Sequence, residues 1–247
     1  MPDYVAGLHA VEAALRAGRV EALWLEAERR DARIAGLTDR AQECGIPIER
    51  VSRSQLESLV PGLKHQGVAA RCKSWTALAE ESFERLLSEL DEAPLLLVLD
   101  GVQDPHNLGA CLRCADAAGV HAVIAPRDRA VGLTPIVRKV ASGAAEHVPF
   151  VQVTNLARTL RWLKEQGLWL VGAAGDAEAS LFETDLTGPL ALVMGGEGKG
   201  LRRLSREHCD LVAHIPMRGA VESLNVSVAA GVCLFEALRQ RSAAKRR

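Results

Sequence analysis

No stretch of this chain approaches the roughly 20 consecutive apolar residues that a membrane-spanning helix needs. Its opening segment, MPDYVAGLHAVEAAL, lacks the basic-then-apolar order of a secretory signal. The expectation is a cytoplasmic protein with no membrane partner. A second C-x-x-C is also missing. The six cysteines fall at 44, 72, 111, 114, 209 and 233, and a zinc ribbon needs two such pairs where this chain has Cys111 and Cys114 alone. Helical spacing puts those two on one face, so small core side chains are expected and no metal site is. In a reducing compartment the six are expected as thiols rather than bridges.

Excess charge is absent too. Thirty Lys and Arg stand against 31 Asp and Glu, a net charge of −1, so composition supplies no footprint of a nucleic-acid partner. Positive charge is local: Arg127 and Arg129, Arg138 and Lys139, Arg202, Arg203 and Arg206, Arg218, and the tail Lys245, Arg246 and Arg247. Composition therefore leaves the partner open. The chain has no low-complexity tether and no internal repeat.

What is present fits a folded α/β protein. The 247 residues allow one large domain or two smaller ones. Hydrophobic residues at 48% and charged residues at 25% are ordinary for a globular chain, and a chain this long buries a core without staples. Residues 1–72 alternate in character: helical spacing over 7–17, a strand-like run at 20–25, a polar helix over 33–44, a strand at 46–51, then 52–59 leading to 65–70. They are expected to form a compact α/β domain. Residues 73–93 read as a linker and connecting helix, with the helix over 77–90. From 94 to 247 the strands become continuously apolar, at 95–99, 120–125, 148–153, 168–173, 190–194 and 211–215. Such runs belong to parallel strands buried on both faces. Helical patterns at 108–118, 135–141, 155–166 and beyond 223 separate most of them, which predicts crossover helices on a parallel sheet.

Three loops leave the C-terminal ends of predicted strands, the edge where open α/β sheets bind ligands. The first, DGVQDPHNLGA at 100–110, runs into a helix that Asn107 is placed to cap and that carries Arg113 among Cys111, Leu112, Cys114 and Ala115. The second is Gly195-Gly196-Glu197-Gly198-Lys199-Gly200. A dinucleotide fingerprint fails on spacing, because from Gly196 or Gly198 the third glycine falls on Leu201 or Arg203. A phosphate-binding P-loop fails because Gly200 is followed by Leu201. The glycines still require a sharp turn or close approach of backbone. The third loop, IPMRGAVESLNVS at 215–227, enters a helix that Ser223 is placed to cap. Along it Val228, Val232, Phe235 and Leu238 are expected to pack on the sheet.

Each loop is unremarkable by itself; together, in this order, they resemble the three signature motifs of the SpoU-type (SPOUT superfamily) RNA ribose methyltransferases. The resemblance covers about 95–240, and the N-terminal unit is similar to the small RNA-binding domain that precedes many members. The phrases DPHNLGACLR and SLNVSVA look most like the members that methylate a guanosine ribose in 23S ribosomal RNA. The resemblance implies a deep trefoil knot formed by the C-terminal segment, an exception to unknotted topology. It implies S-adenosylmethionine held against backbone near Gly195, Gly196, Ile215 and Leu224, and a homodimer whose active site borrows from both subunits. Asn107, Arg113, Glu197, Ser223 and Asn225 fall on the family's functional positions: the arginine to bind RNA and its hydroxyl, the amides to orient loops and RNA, Glu197 to tether Arg113 or fix its loop. DNA is not an expected partner. Transfer RNA as substrate, a non-catalytic RNA-binding assembly factor, and a nucleotide-dependent oxidoreductase are the competing readings.

Overall fold

The computed structural model describes residues 3–244 apart from 30, 74–76, 197 and 199. Glu197 and the tail Lys245, Arg246 and Arg247 thus lie outside the described residues. The chain separates into two compact units, Met1–Thr76 and Ala77–Arg247.

The first unit runs β1 (Asp3–Ala6), α1 (Leu8–Arg16), β2 (Val20–Glu26), α2 (Ala32–Glu43), β3 (Ile48–Val51), α3 (Arg53–Leu59) and β4 (Val68–Cys72). The strand order is β1-β4-β2-β3, with β4 antiparallel to both neighbours and β2 parallel to β3. One face buries Val5, Leu23, Leu25, Val68 and Ala70 against Leu8, Val11 and Leu15 of α1 and Ile34 and Leu37 of α2. On the other face Leu56 and Val60 pack with Val51 and Ala69. Local chemistry starts the helices. The Asp31 carboxylate accepts the N–H groups of Arg33 and Ile34, and Ser52 and Gln55 exchange side-chain and backbone hydrogen bonds in a capping box. Sequence periodicity missed β1, because four residues are too few to show a period.

The second unit contains α4 (Glu80–Ser88), β5 (Leu95–Asp100), α5 (Pro105–Ala117), β6 (Ala122–Pro126), α6 (Pro135–Ala141), β7 (Phe150–Val153), α7 (Leu156–Glu165), β8 (Trp169–Ala173), β9 (Ala179–Ser180), β10 (Leu190–Gly195), α8 (Arg203–His208), β11 (Leu211–His214) and α9 (Val226–Ala244). Seven strands lie in the order β7-β6-β5-β10-β8-β11-β9, and every pair is parallel. The parallel sheet expected from the apolar runs is therefore present, and β5, β6 and β10 are buried along their whole length. Phe83 of α4 and Leu156, Leu160 and Leu163 of α7 cover one face, over Leu96, Val98, Ile124 and Val193. Helices α5, α6 and α9 pack together on the other. The short β9 and α8 carried no periodic signal strong enough to be foreseen.

Two helix starts differ from expectation. Asp104, not Asn107, caps α5: its side chain accepts the His106 N–H at 2.9 Å. Pro105 forces this, since its fixed φ suits the first helical position and keeps the preceding residue extended. Asn107 is then inside the first turn and buried. Likewise Asn225, not Ser223, caps α9, its Oδ1 accepting the Ser227 N–H at 2.9 Å and hydroxyl at 2.7 Å. The packing face of α9 also differs. Ala230, Cys233, Leu234 and Ala237 are buried, Val232 and Leu238 are half-buried, and Val228 and Phe235 remain 52% and 48% exposed.

The far end of α9 is pinned. The Arg241 guanidinium donates to the carbonyls of Ala93 at 2.9 Å, Pro94 at 2.8 Å and Gly188 at 2.5 Å. Gln240 bridges the Thr184 carbonyl and the Leu186 N–H. Burial pushes the Cys111 and Cys233 thiols up to about 12, as befits inert core side chains.

Helices α5 and α6 touch at Gly109, where an added Cβ would stand 2.6 Å from Val140 Cβ and 2.8 Å from the Val137 carbonyl oxygen. Alanine ordinarily gains about 1 kcal/mol over glycine within a helix. Here Gly109→Ala should instead lose about 1–3 kcal/mol through overpacking, read as a lower urea midpoint with an unchanged slope.

Candidate active site

Because every pairing is parallel, the strands end along one edge, and their register levels the loops that follow. Gly195 pairs with Asp100, Met194 with Ala173, and Ala173 with Ala213. The three motif loops follow β5, β10 and β11 at this edge. The chain leaving β11 turns back through 215–225 to reach α9, which packs on α5. A cleft of about 470 Å³ forms there, lined by Ala173 at the end of β8 and Gly175 beyond it, Met194 and Gly195 at the end of β10 and Gly196 beyond it, and Ile215, Met217, Ser223, Leu224 and Asn225. Its side chains are mostly small or apolar, with Glu222, Ser223 and Asn225 as the polar ones.

The glycines are required by contact. A Cβ on Gly195 would collide with the backbone of Gly200 and Leu201, and one on Gly196 would lie 2.5 Å from the Gly101 carbonyl oxygen. The loop after β10 therefore folds back on itself and against the loop after β5. An ion pair holds it in place. The Asp100 carboxylate, 1% exposed, accepts the Arg202 N–H at 3.1 Å and lies 3.3 Å from the Arg202 guanidinium. Burying the carboxylate costs free energy that the cation and N–H offset.

The rim is closed by two amides. Asn225 Nδ2 donates to Asn107 Oδ1 at 3.0 Å, joining positions 118 residues apart. Asn107 is 7% exposed. The same Asn225 side chain that caps α9 thus ties the start of that helix to the first turn of α5.

Of the residues singled out from sequence, Gly195, Gly196, Ile215, Ser223, Leu224 and Asn225 line this one cleft, and Asn107 bonds to its rim. Arg113 does not line it. Six residues beyond Asn107, it projects about 240° around the helix, is exposed, and stands apart from the cleft of its own chain. Glu197 lies outside the described residues, so its expected tether to Arg113 has no counterpart among them. Sequence reasoning missed Ala173 and Gly175, at and just past the end of β8 where there is no motif, and the roles of Asp100 and Arg202. Those two had appeared as part of a loop and part of a basic cluster. Among the described residues no group of three or more His, Cys, Asp or Glu side chains could hold a metal ion.

Comparison with known proteins fits this geometry. Residues 94–235 match the SpoU rRNA Methylase family, and residues 4–76 match the RNA 2′-O ribose methyltransferase substrate binding family. The chain belongs to the SpoU rRNA methylase family. A 23S rRNA (guanosine-2′-O-)-methyltransferase RlmB from Shewanella oneidensis is 56% identical over 241 residues, covering 97% of this chain and 98% of its own. Among solved structures, an RNA 2′-O ribose methyltransferase superposes with a TM-score of 0.78 at 31% identity, covering 98% of this chain and 89% of its own. The SpoU methyltransferase AviRb from Streptomyces viridochromogenes, in complex with AdoMet, gives 0.81 at 25% identity, covering 98% and 91%.

Removing the cap and the amide bridge together tests this rim. Asn225→Ala should cost about 1–2 kcal/mol from the lost cap. A double-mutant cycle with Asn107→Ala should show a coupling of about 0.5–3 kcal/mol in denaturant midpoints. Strict additivity would mean that the bridge contributes nothing.

Proposed function

We propose that this chain transfers a methyl group from S-adenosylmethionine to the ribose 2′-hydroxyl of a guanosine in 23S ribosomal RNA. The observation that carries the reading is the meeting of the second and third motif loops in one cleft at the sheet edge, with the first packed against both through Gly101 and Asn107. The cleft suits the donor. Met194, Ile215 and Leu224 offer apolar surface to its adenine ring and carbon chain, and the missing side chains at Gly195 and Gly196 let backbone approach. When bound, the donor supplies a sulfonium methyl that is already activated for attack, so the chemistry asks for no Lewis acid.

What remains for the protein is placement. Holding the hydroxyl about 3–3.5 Å from the methyl carbon, in line with the departing sulfur, can supply roughly 7–11 kcal/mol of the barrier. Gly195, Gly196, Ile215 and Leu224 cradle the donor. Asn107, Asn225 and Ser223 hold the rim loop against it, and Glu197 fixes the loop after β10. Arg113 binds the RNA phosphate and the attacking hydroxyl. Its planar fork of N–H donors can engage the phosphate and the hydroxyl together.

Arg113 is exposed outside its own chain's cleft, and Val228 and Phe235 form an exposed apolar stripe on the neighbouring α9. Both fit a homodimer in which the partner subunit's Arg113 completes the site. Exposed cations on loops at the same edge, Arg127 and Arg129 after β6 and Arg218 after β11, suit an RNA backbone. We assign residues 1–72 to RNA binding, 73–93 to a connecting segment and 94–247 to methyl transfer. The place of work is the cytoplasm, and no helix among the described residues is long and apolar enough to cross a membrane.

Tritiated methyl transfer to 23S and transfer RNA, with nuclease mapping, tests the reading. Label on a guanosine ribose of 23S RNA is expected. Label on transfer RNA would shift the substrate, label on a base would overturn the mechanism, and no label would favour an assembly factor. Arg113→Lys keeps the charge but loses the planar fork, so methyl transfer should fall by a factor of about 10²–10⁴ while donor binding by calorimetry holds. Phe235→Arg should give a monomer by sedimentation and abolish turnover. A fully active monomer would exclude the shared site.

A further inference from the structure

Two clefts flank α3 in the first unit. One, about 400 Å³, is lined by Trp24, Glu49, Val51, Ser54, Gln55 and Ser58. The Trp24 indole is held in orientation by its own N–H, which donates to Glu49 Oε2 at 2.9 Å. Behind it stands Tyr4, the single tyrosine of the chain, with ring centroids 5.9 Å apart and planes tilted by 38°. Aromatics are only 4% of the sequence. This pair packs one side on Val51, Leu56, Val60 and Ala69, yet both rings stay partly exposed. Around the indole stand the hydroxyls of Ser54 and Ser58, the amide of Gln55 and the carboxylate of Glu49. An aromatic wall ringed by donors and acceptors is what an unstacked nucleobase requires.

The charge around α3 agrees. On its other side a cleft of about 350 Å³ carries Arg29, Arg53 and Lys64 beside Glu26 and Glu57. Arg53 pairs with Glu57 at 3.2 Å and Arg29 with Asp31 at 2.6 Å, exposed or half-exposed contacts that solvent screens and a phosphate can compete for.

We infer that the first unit seats one unpaired guanine base of RNA in the Trp24 cleft, with the adjoining phosphates led past α3 by Arg53, Arg29 and Lys64; this rests on the RNA-methylation reading above. The base stacks on the indole. Its N1–H and N2 amino group form adjacent donors that a carboxylate accepts together, which selects guanine for Glu49. Adenine and cytosine set an acceptor beside their donor, and uracil flanks its one N–H with two carbonyls. The role is to anchor the substrate and not to act on the transferred methyl, so it governs RNA affinity rather than turnover.

The test uses the full chain and short single-stranded RNA oligomers carrying one central guanosine, or inosine, which lacks the amino group. Fluorescence anisotropy should show Trp24→Ala weakening the guanosine oligomer by roughly 5- to 150-fold, the range of one base–aromatic stack. Trp24→Phe should recover most of the affinity. Wild type should prefer guanosine to inosine, and Glu49→Gln should erase that preference. Circular dichroism and donor binding unchanged in Trp24→Ala would exclude a folding defect. With 23S RNA, KM should rise in Trp24→Ala while kcat at saturation holds. Wild-type affinity in a folded Trp24→Ala, or no preference for guanosine, overturns the base site alone. A wild type that binds oligomers through Trp24 yet methylates no RNA overturns the methylation reading and leaves the base site standing.

Discussion

A single amide contact, Asn225 to Asn107 at 3.0 Å, joins the two helices on which the site depends. It matters because of where the sheet puts its ends. Parallel pairing of β5, β10, β8 and β11 levels their C-terminal ends, and the loops that follow must share one small space. The chain then returns from β11 toward α5 instead of leaving the edge. Asn225 fixes the start of that return, and Arg241 fixes its end on the carbonyls of residues 93, 94 and 188. Helix α9 is therefore clamped at both ends, and the loop between β11 and α9 is held as one wall of the cleft.

Around that clamp the site uses backbone more than side chains. Gly195 and Gly196 stand where any Cβ would meet the loop's own backbone or that of Gly101. Asp100 and Arg202 hold the folded-back loop by a buried carboxylate and a cation with one side in solvent. Among the described residues Glu222 is the one ionisable side chain lining the cleft, which suits a reaction whose electrophile arrives activated and whose catalyst mainly places atoms. Arg113, the strongest polar group among the motif residues, is on the outside of α5. The homodimer proposed above would give that placement a use, since a second copy covering the exposed Val228 and Phe235 would bring a guanidinium to a cleft lined by none among the described residues.

Much of the fold was legible in the chain. The buried strands announced themselves as unbroken apolar runs, because parallel strands covered on both faces leave no position for polar residues. The turn chemistry of the three loops marked the edge. What misled was local reasoning about helix starts: Asn107 and Ser223 have capping side chains, but Pro105 moves one start upstream and Asn225 takes the other cap. The outward turn of Val228 and Phe235 was also hidden, since a hydrophobic residue on a helix looks the same in sequence whether it faces a sheet or the surface.

The sequence by itself determined the strand–helix alternation, the identity of the motif loops and the membership that follows from them, because these depend on residue type and near spacing. Only the tertiary structure decided that Asn107 and Asn225 bond, that Asp100 holds Arg202, that Ala173 and Gly175 complete the cleft, and that Arg113 stands outside it. Those relations arise from strand order and the rotation of residues about helix axes. Neither is encoded in local sequence, because each is settled only when distant segments compete for the same edge and face of the sheet.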